Sequence, residues 1–380
     1  ATTARNQTLA GLLTVGSGGN VVGANATTDS LLTLNIASGT NTFSGTLGGA
    51  GTNENKLALT KTGNGTMVLA GANTYTGTTT ITGGTLEVQG SIASSSAIAN
   101  VGSLVFNSSS AQSYAGNIDG TGSLTKQGTG TLTFTGISNT SGETTVSNGT
   151  LLIGAAGEIV NGGVTVNGGT FRYNSSTDLA SGLTFTSGQI AGTNWNISLG
   201  GLIIGAGMTI SPGNSPGTAN TSNQTWDSAG TYLWEINDAT AVLAGTDPGW
   251  DLVLGTGTLD ITATSGSKYN INITSLTLAN APGLATNFNL SQTYNWLIAD
   301  FASSVTGFAA DNFNLDTSGF TNSFTGGSFS IALGDTVSGG DDTQVYLVYV
   351  PEPTTLALLA CGTIAGVVAL RRRKAKLATK

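Results

Sequence analysis

Histidine is absent from the 380 residues, and cysteine occurs once, at Cys361. One cysteine forms no internal disulfide, so the chain is not a stapled scaffold. Without histidine, the usual neutral-pH proton acceptor and metal ligand is missing. Charged residues make up 8% of the chain, against about a quarter in an ordinary globular domain. Proline is scarce at 6 residues, which argues against a proline-rich linker. Cations are rarer still before the tail: residues 1–350 hold six of them against nineteen acids, a net charge of −13. Nucleic-acid binding needs a basic face that neutralises phosphates, and this chain has none there.

What fills the chain instead is glycine (57 residues), threonine, serine and asparagine, with short β-branched runs between them. Val, Ile and Thr suit a pleated strand, while Gly and Asn suit tight turns, so this composition folds as strands and turns.

Residues 59–88 and 124–153 repeat each other at an offset of 65 without a gap, sharing 13 of 30 positions. Shared residues include Leu59/Leu124, Lys61/Lys126, Gly65/Gly130, Gly77/Gly142 and Leu86/Leu151. Alternating apolar positions such as Met67 and Leu69, or Leu132 and Phe134, predict strands with one buried face. Short strands at regular intervals predict a right-handed parallel β-solenoid, in which each coil buries its apolar face only by stacking on its neighbours. A β-sandwich built from the same strands is the alternative. Thr78-Thr79-Thr80 predicts a hydroxyl ladder on an outer face.

Beyond Pro216 the texture changes. Residues 220–350 hold Trp226, Trp234, Trp250 and Trp296 and twelve acids, in alternating stretches such as TYLWEIN, KYNINITSLTL and QVYLVYV. The larger side chains predict a second β-rich module over 219–349, a sandwich-like unit or a thick cap on the solenoid, after a solenoid over 1–218.

The tail, 350–380, is of a third kind. Residues 354–370 are uncharged and predict one transmembrane helix, at the short end of what crosses a bilayer. Arg371, Arg372, Arg373 and Lys374 follow directly, which keeps the C-terminus cytoplasmic and residues 1–350 outside. Cys361 lies within the apolar stretch, as a small lipid-facing residue. The opening at Ala1, without methionine or an apolar leader, reads as a mature form.

Before the span stands Val350-Pro351-Glu352-Pro353. The order proline-acid-proline, apolar span, arginine cluster resembles the PEP-CTERM sorting signal of Gram-negative exopolysaccharide producers. The resemblance covers the whole tail, 350–380, and makes Pro351, Glu352 and Pro353 the recognition element. It implies export and processing by an exosortase-type membrane enzyme, with exopolysaccharide as a further partner. The repeats resemble the autotransporter-associated β-strand repeat, and Ser211-Pro212-Gly213-Asn214-Ser215-Pro216-Gly217-Thr218 resembles a turn found in such passengers. An autotransporter ends in a membrane β-barrel. Here an apolar span ends the sequence, so the resemblance carries over the passenger fold and not self-translocation.

Chemistry has few candidates. Up to residue 218 the acids are scattered singly (Asp29, Glu54, Glu87, Asp119, Glu143, Glu158 and Asp178), unlike the close carboxylate pairs of glycoside hydrolysis. Asp335, Asp341 and Asp342, and likewise Asp247 and Asp251, read as solvated turns that lack a calcium-loop pattern. Glu235 and Asp238 read as a strand end. No catalytic residue, metal site or cofactor is expected. Trp250, between two carboxylates, reads first as core packing, with sugar contact as the candidate alternative. The expectation is a non-catalytic structural or adhesive exoprotein of the cell surface or extracellular matrix, open to fibrous self-association at solenoid ends. A carbohydrate-binding surface protein and a polysaccharide-degrading β-helix enzyme are the alternatives.

Overall fold

The computed structural model describes residues 5–352, apart from 15–17, 94–95, 178, 180–181, 193–194, 198–200, 214 and 338, and apart from the side chains of 195–197. Strands dominate, and they pair in parallel from the first coil to Phe313–Gly319. One face of the first half is an eight-stranded sheet whose members run from Gln7–Leu9 through Leu57–Thr62 and Ile98–Asn100 to Glu158–Ile159. Leu59, Thr79, Ile98, Ile118 and Ser138 stand in one column of this sheet, each one coil after the last. Asp119 and Asn139, neighbours on two successive coils, are 20 residues apart in the chain, and Asn139 Nδ2 donates to Asp119 Oδ1 at 2.9 Å. A fifteen-stranded sheet covers the other sides. This is a parallel β-solenoid, and the sandwich alternative is excluded by the pairing.

The local grammar follows the sequence. Leu57–Thr62 buries alternate residues, as do Thr85–Val88 and Thr131–Phe134. Thr78-Thr79-Thr80 obeys the same alternation, which corrects the expected triple ladder: Thr79 is buried, and its Oγ1 lies 2.6 Å from the Tyr75 hydroxyl. Thr80 faces outward, in one column with Thr8, Thr33 and Thr60.

The sequence repeat is not the structural coil. Leu57–Thr62 of the first copy belongs to the eight-stranded sheet, whereas Ser123–Gln127 of the second belongs to the fifteen-stranded sheet. Lys126 stands in the column of Leu69, Val88 and Phe106. Three coils separate Leu69 from Lys126, and the short step from Lys61 to Leu69 completes the offset of 65. Each repeat copy therefore starts one face further round the solenoid. What repeats is the strand–turn–strand corner.

Corners are where glycine is required. A Cβ on Gly122 would lie 2.3 Å from the Gly102 carbonyl oxygen, one on Gly142 2.4 Å from that of Gly122, and one on Gly162 2.1 Å from that of Gly142. Adjacent coils thus touch backbone to backbone down this corner, and only a residue without a side chain fits.

After residue 190 the coils widen and stay parallel. Four coils repeat the same order of faces. A strand of a six-stranded sheet (Trp195–Ile197, Thr218–Thr221, Leu252–Gly255, Tyr294–Phe301) is followed by one of a four-stranded sheet (Leu202–Ile204, Gln224–Trp226, Thr258–Ile261, Ser304–Thr306). Each coil then closes with a strand of the fifteen-stranded sheet: Met208–Pro212, Thr231–Ile236, Tyr269–Ser275 and Phe313–Gly319. Along the column Trp195, Ala219, Val253, Ala299 every coil is longer than the one before. Gly217 and Asp251, bonded across one of these coils, are 34 residues apart, and Asp260 and Thr306, bonded across the next, are 46 residues apart. Of the two arrangements expected after 218, the sandwich is therefore corrected: the fifteen-stranded sheet runs straight across that position. Apart from isolated bridges, antiparallel ladders enter among the described strands with Gly327–Leu333 and Gln344–Pro351, which fold back over the edge of Tyr294–Phe301.

The aromatic texture is the consequence of widening. A broader coil encloses more volume, and large rings fill it. Trp226, Trp234 and Trp296 are fully buried. Trp226 stacks on Tyr269 at 4.9 Å, and Tyr294 stacks on Trp296 at the same separation. Such rings supply the largest apolar burial a side chain can offer.

Candidate functional site

The chain leaves the fold through its last strand. Val350 and Pro351 extend Gln344–Pro351 past the pairing with Tyr294, so only the strand from Gly327 still flanks them, with Pro351 opposite Gly327. Pro351 has no N–H to give, and the ladder ends there. The Glu352 amide makes one more bond, to the Gly326 carbonyl, and the Glu352 side chain is exposed. The first two residues of the proline-acid-proline element are thus presented at the rim of a folded sheet. Pro353, Arg371, Arg372, Arg373 and the expected helix over 354–370 lie outside the described residues. Among the described residues no helix is long and apolar enough to cross a membrane.

Trp250 is not a platform for sugar. Its ring is 8% exposed, and its Nε1 donates to the Leu297 carbonyl at 2.9 Å. The ring lies in a run of buried residues, 249–253, beside its bridge to Ile236, which corrects the candidate sugar contact.

Asp251 is also misread by its neighbours in sequence. It is fully buried, accepting the Gly217 amide at 2.8 Å on Oδ1 and the Glu235 amide at 3.0 Å on Oδ2. Burial, with Glu235 close by, pushes its carboxyl well above the usual carboxylate range, while the two amides pull it down. Burial raises Glu235 as well, opposed by the Arg172 guanidinium. This carboxylate pins the end of the Ser211–Gly217 turn to the strand Thr231–Ile236. Asp247, in contrast, accepts Asn237 Nδ2 at 2.6 Å and Asn280 Nδ2 at 2.7 Å, and Asp238 accepts Asn287 Nδ2 at 3.0 Å. Asp341 turns back on Thr343, accepting its hydroxyl and, at 2.9 Å, its amide, and this bonding lowers its carboxyl. Among the described residues no three His, Cys, Asp or Glu side chains gather as a metal ion would require.

Two residues that sequence reasoning treated only as repeat markers carry a defined structure. Lys61 Nζ donates to the carbonyls of Thr62, Gly63 and Gly83 at 2.8, 2.9 and 3.1 Å. Lys126 Nζ donates to Gln127, Gly128 and Asn148 at 2.7, 2.7 and 3.2 Å. Each lysine lies in the coil interior and gathers turn carbonyls from two successive coils. Burial lowers both ammonium groups, that of Lys126 to about 8. Their recurrence at the repeat offset was the available signal.

Compared with family models, residues 59–88 and 124–153 match the passenger-associated-transport-repeat. Residues 350–374 match the PEP-CTERM protein-sorting motif, which implies export, association with the cell envelope and processing by an exosortase-type membrane enzyme. The chain matches none of the curated proteins with which it was compared. The lysine-centred corners and the exit at Pro351-Glu352 thus coincide with two recognised elements: this chain carries passenger-type repeats and a PEP-CTERM sorting motif.

Proposed function

We propose that this is a non-catalytic surface or extracellular-matrix protein whose function is geometric. A stiff parallel stack displays its outer faces away from the membrane, and the apolar segment 354–370 holds the chain in the bilayer until an exosortase acts near Pro351-Glu352-Pro353. The observation that carries this reading is the uninterrupted parallel pairing from Gln7–Leu9 to Phe313–Gly319 around an apolar interior. Such a stack is rigid because every coil between the two ends is hydrogen-bonded to two others.

The test is the intact mass of the protein from the cell envelope and from the culture medium. A mass ending near Pro353 in the medium supports sorting and release. A full-length mass confined to membranes refutes processing.

A second reading, binding of exopolysaccharide, is favoured by one feature. Thr125, Thr145, Thr165 and Thr184 form a column of outward hydroxyls along the axis. Replacing Thr145 and Thr165 by valine, which suits the strand equally, is expected to weaken retention on the producing cell's polysaccharide. Unchanged retention removes this reading.

A further inference from the structure

Two insertions account for the widening of the last coils, and both emerge where the chain passes from the fifteen-stranded to the six-stranded sheet. They comprise residues 237–251 and 276–293. The loops are joined to each other: Asn280 bonds Asp247, Asn287 bonds Asp238, and the Ala239 amide donates to the Thr286 carbonyl at 2.9 Å. Their polar groups are turned on one another, and large apolar side chains are left in solvent. Val242 is 95% exposed, Leu243 64%, Leu278 55%, Leu284 62% and Leu290 46%. One exposed leucine is ordinary; five such side chains on two joined loops mark an interaction surface.

The position of the chain's exit says what that surface meets. Tyr349 pairs with Tyr294, the residue at which the second loop enters its strand, and the Tyr349 hydroxyl donates to the Leu290 carbonyl at 3.1 Å. Val350, next along, is itself 45% exposed. From Glu352 to Thr354, the first residue of the uncharged stretch, is two residues, at most about 7 Å of extended chain. Once residues 354–370 enter a bilayer, the corner bearing Leu290 is held at its surface. Neither loop contains lysine or arginine, and residues 276–293 contain no charged residue at all. Contact with lipid would therefore be apolar rather than electrostatic.

We propose that the joined loops around Val242–Leu243 and Leu278–Leu290 are a membrane-contact surface, which seats its apolar side chains in the bilayer interface beside the exit of the chain. This rests on the reading that 354–370 enters the membrane. A bilayer contact at this corner fixes the orientation of the rod, which a single flexible tether would not.

The test uses the full chain in phosphatidylcholine vesicles, with an environment-sensitive fluorophore on one cysteine at a time and spin-labelled lipid as quencher. The native Cys361 reports on the apolar segment. In a Cys361→Ser background, Leu243→Cys, Leu284→Cys and Leu290→Cys report on the loops, and Ile137→Cys, on the first-half solenoid, reports on solvent. The expected result is a blue shift and quenching by lipid at Cys361 and at all three loop positions, with Ile137→Cys unchanged. Raising salt to about 0.5 M, where charges are screened within a few ångströms, leaves the loop signals unaltered. Quenching at Cys361 alone overturns the loop contact and spares the membrane segment. No quenching at Cys361 overturns the reading beneath it, and the inference with it. Loop labels already blue-shifted in dilute protein without vesicles overturn it in favour of the chain's own tail, or of a second copy if the shift fades on dilution.

Discussion

Replacing Gly142 by alanine tests whether glycine columns set the coil spacing. The added methyl would lie 2.4 Å from the Gly122 carbonyl oxygen and 2.6 Å from its carbon, against the 3.0 Å below which real Cβ contacts essentially never fall. The shortfall is met by backbone, which cannot rotate away as a side-chain tip would. Gly122 cannot retreat freely either, because its own backbone lies so close to Gly102 that a Cβ there would meet the Gly102 carbonyl oxygen at 2.3 Å. Overpacking of this kind costs about 1–3 kcal/mol. Alanine also restricts the unfolded chain, which returns about 0.4–1 kcal/mol. The net expectation is a loss of about 1–2 kcal/mol. Gly83→Ala is the internal control. It lies at the same type of corner, but its nearest neighbour would be 3.6 Å from the new methyl, so only the unfolded-state term remains and stability is unchanged or slightly raised. Denaturant midpoints followed by far-UV circular dichroism rank the three proteins. Midpoints are the right measure because long repeat arrays depart from two-state behaviour. A Gly142→Ala midpoint at or above that of wild type would refute the steric argument.

Other substitutions probe the remaining features. Lys126→Met keeps the stem and removes the donor to three carbonyls, with an expected loss of about 2–3 kcal/mol at pH 7. Because burial lowers Lys126 to about 8, the folded protein releases this proton before the unfolded chain does. Through this group wild type gains stability as pH rises from about 8 towards the free value of 10.5, and denaturation at a series of pH values should show a smaller rise in the methionine variant, where only Lys61 still contributes a lowered ammonium. Trp226→Ala removes a fully buried ring stacked on Tyr269 and should cost about 3–5 kcal/mol by the same assay. Asp251→Asn presents an amide donor to the amide of Gly217 or Glu235, and faster hydrogen exchange at those two amides is the expected readout. Glu352→Lys should leave the full-length mass in the membrane fraction if the acid between the prolines is read by the processing enzyme.

Several features were determined by sequence alone, because their physics is local. Period-two alternation in segments such as Leu132–Phe134 makes strands with one buried face, and a glycine or asparagine step ends them. The proline-acid-proline element and the arginines after an uncharged stretch are legible for the same reason. They act through residues adjacent in the chain. The parallel stacking of the first half was also within reach, since a strand pattern this short and regular has few ways to bury its face.

What the tertiary structure decided depends on partners far apart in sequence. The repeat that carries Leu59 onto Leu124 suggests a unit of architecture, yet one coil is only the shorter step from Asp119 to Asn139, and the copies begin on different faces. Local alternation states that a strand has an inside and does not state which strand lies beside it. Hence the second half, with its larger residues, left a sandwich and a solenoid cap both open, and only the pairing shows that its strands continue the same parallel stack through progressively longer coils. Asp251 looked like part of a solvated turn and Trp250 was open to a sugar contact because acids and glycine surround them, but Gly217 and Leu297, distant in the chain, hold them inside. The joined loops and their apolar tips exist only because coil stacking brings residues 237–251 against 276–293 and sets the second loop beside the exit at Val350. Chain neighbours fix the strand, and coil neighbours fix the surface.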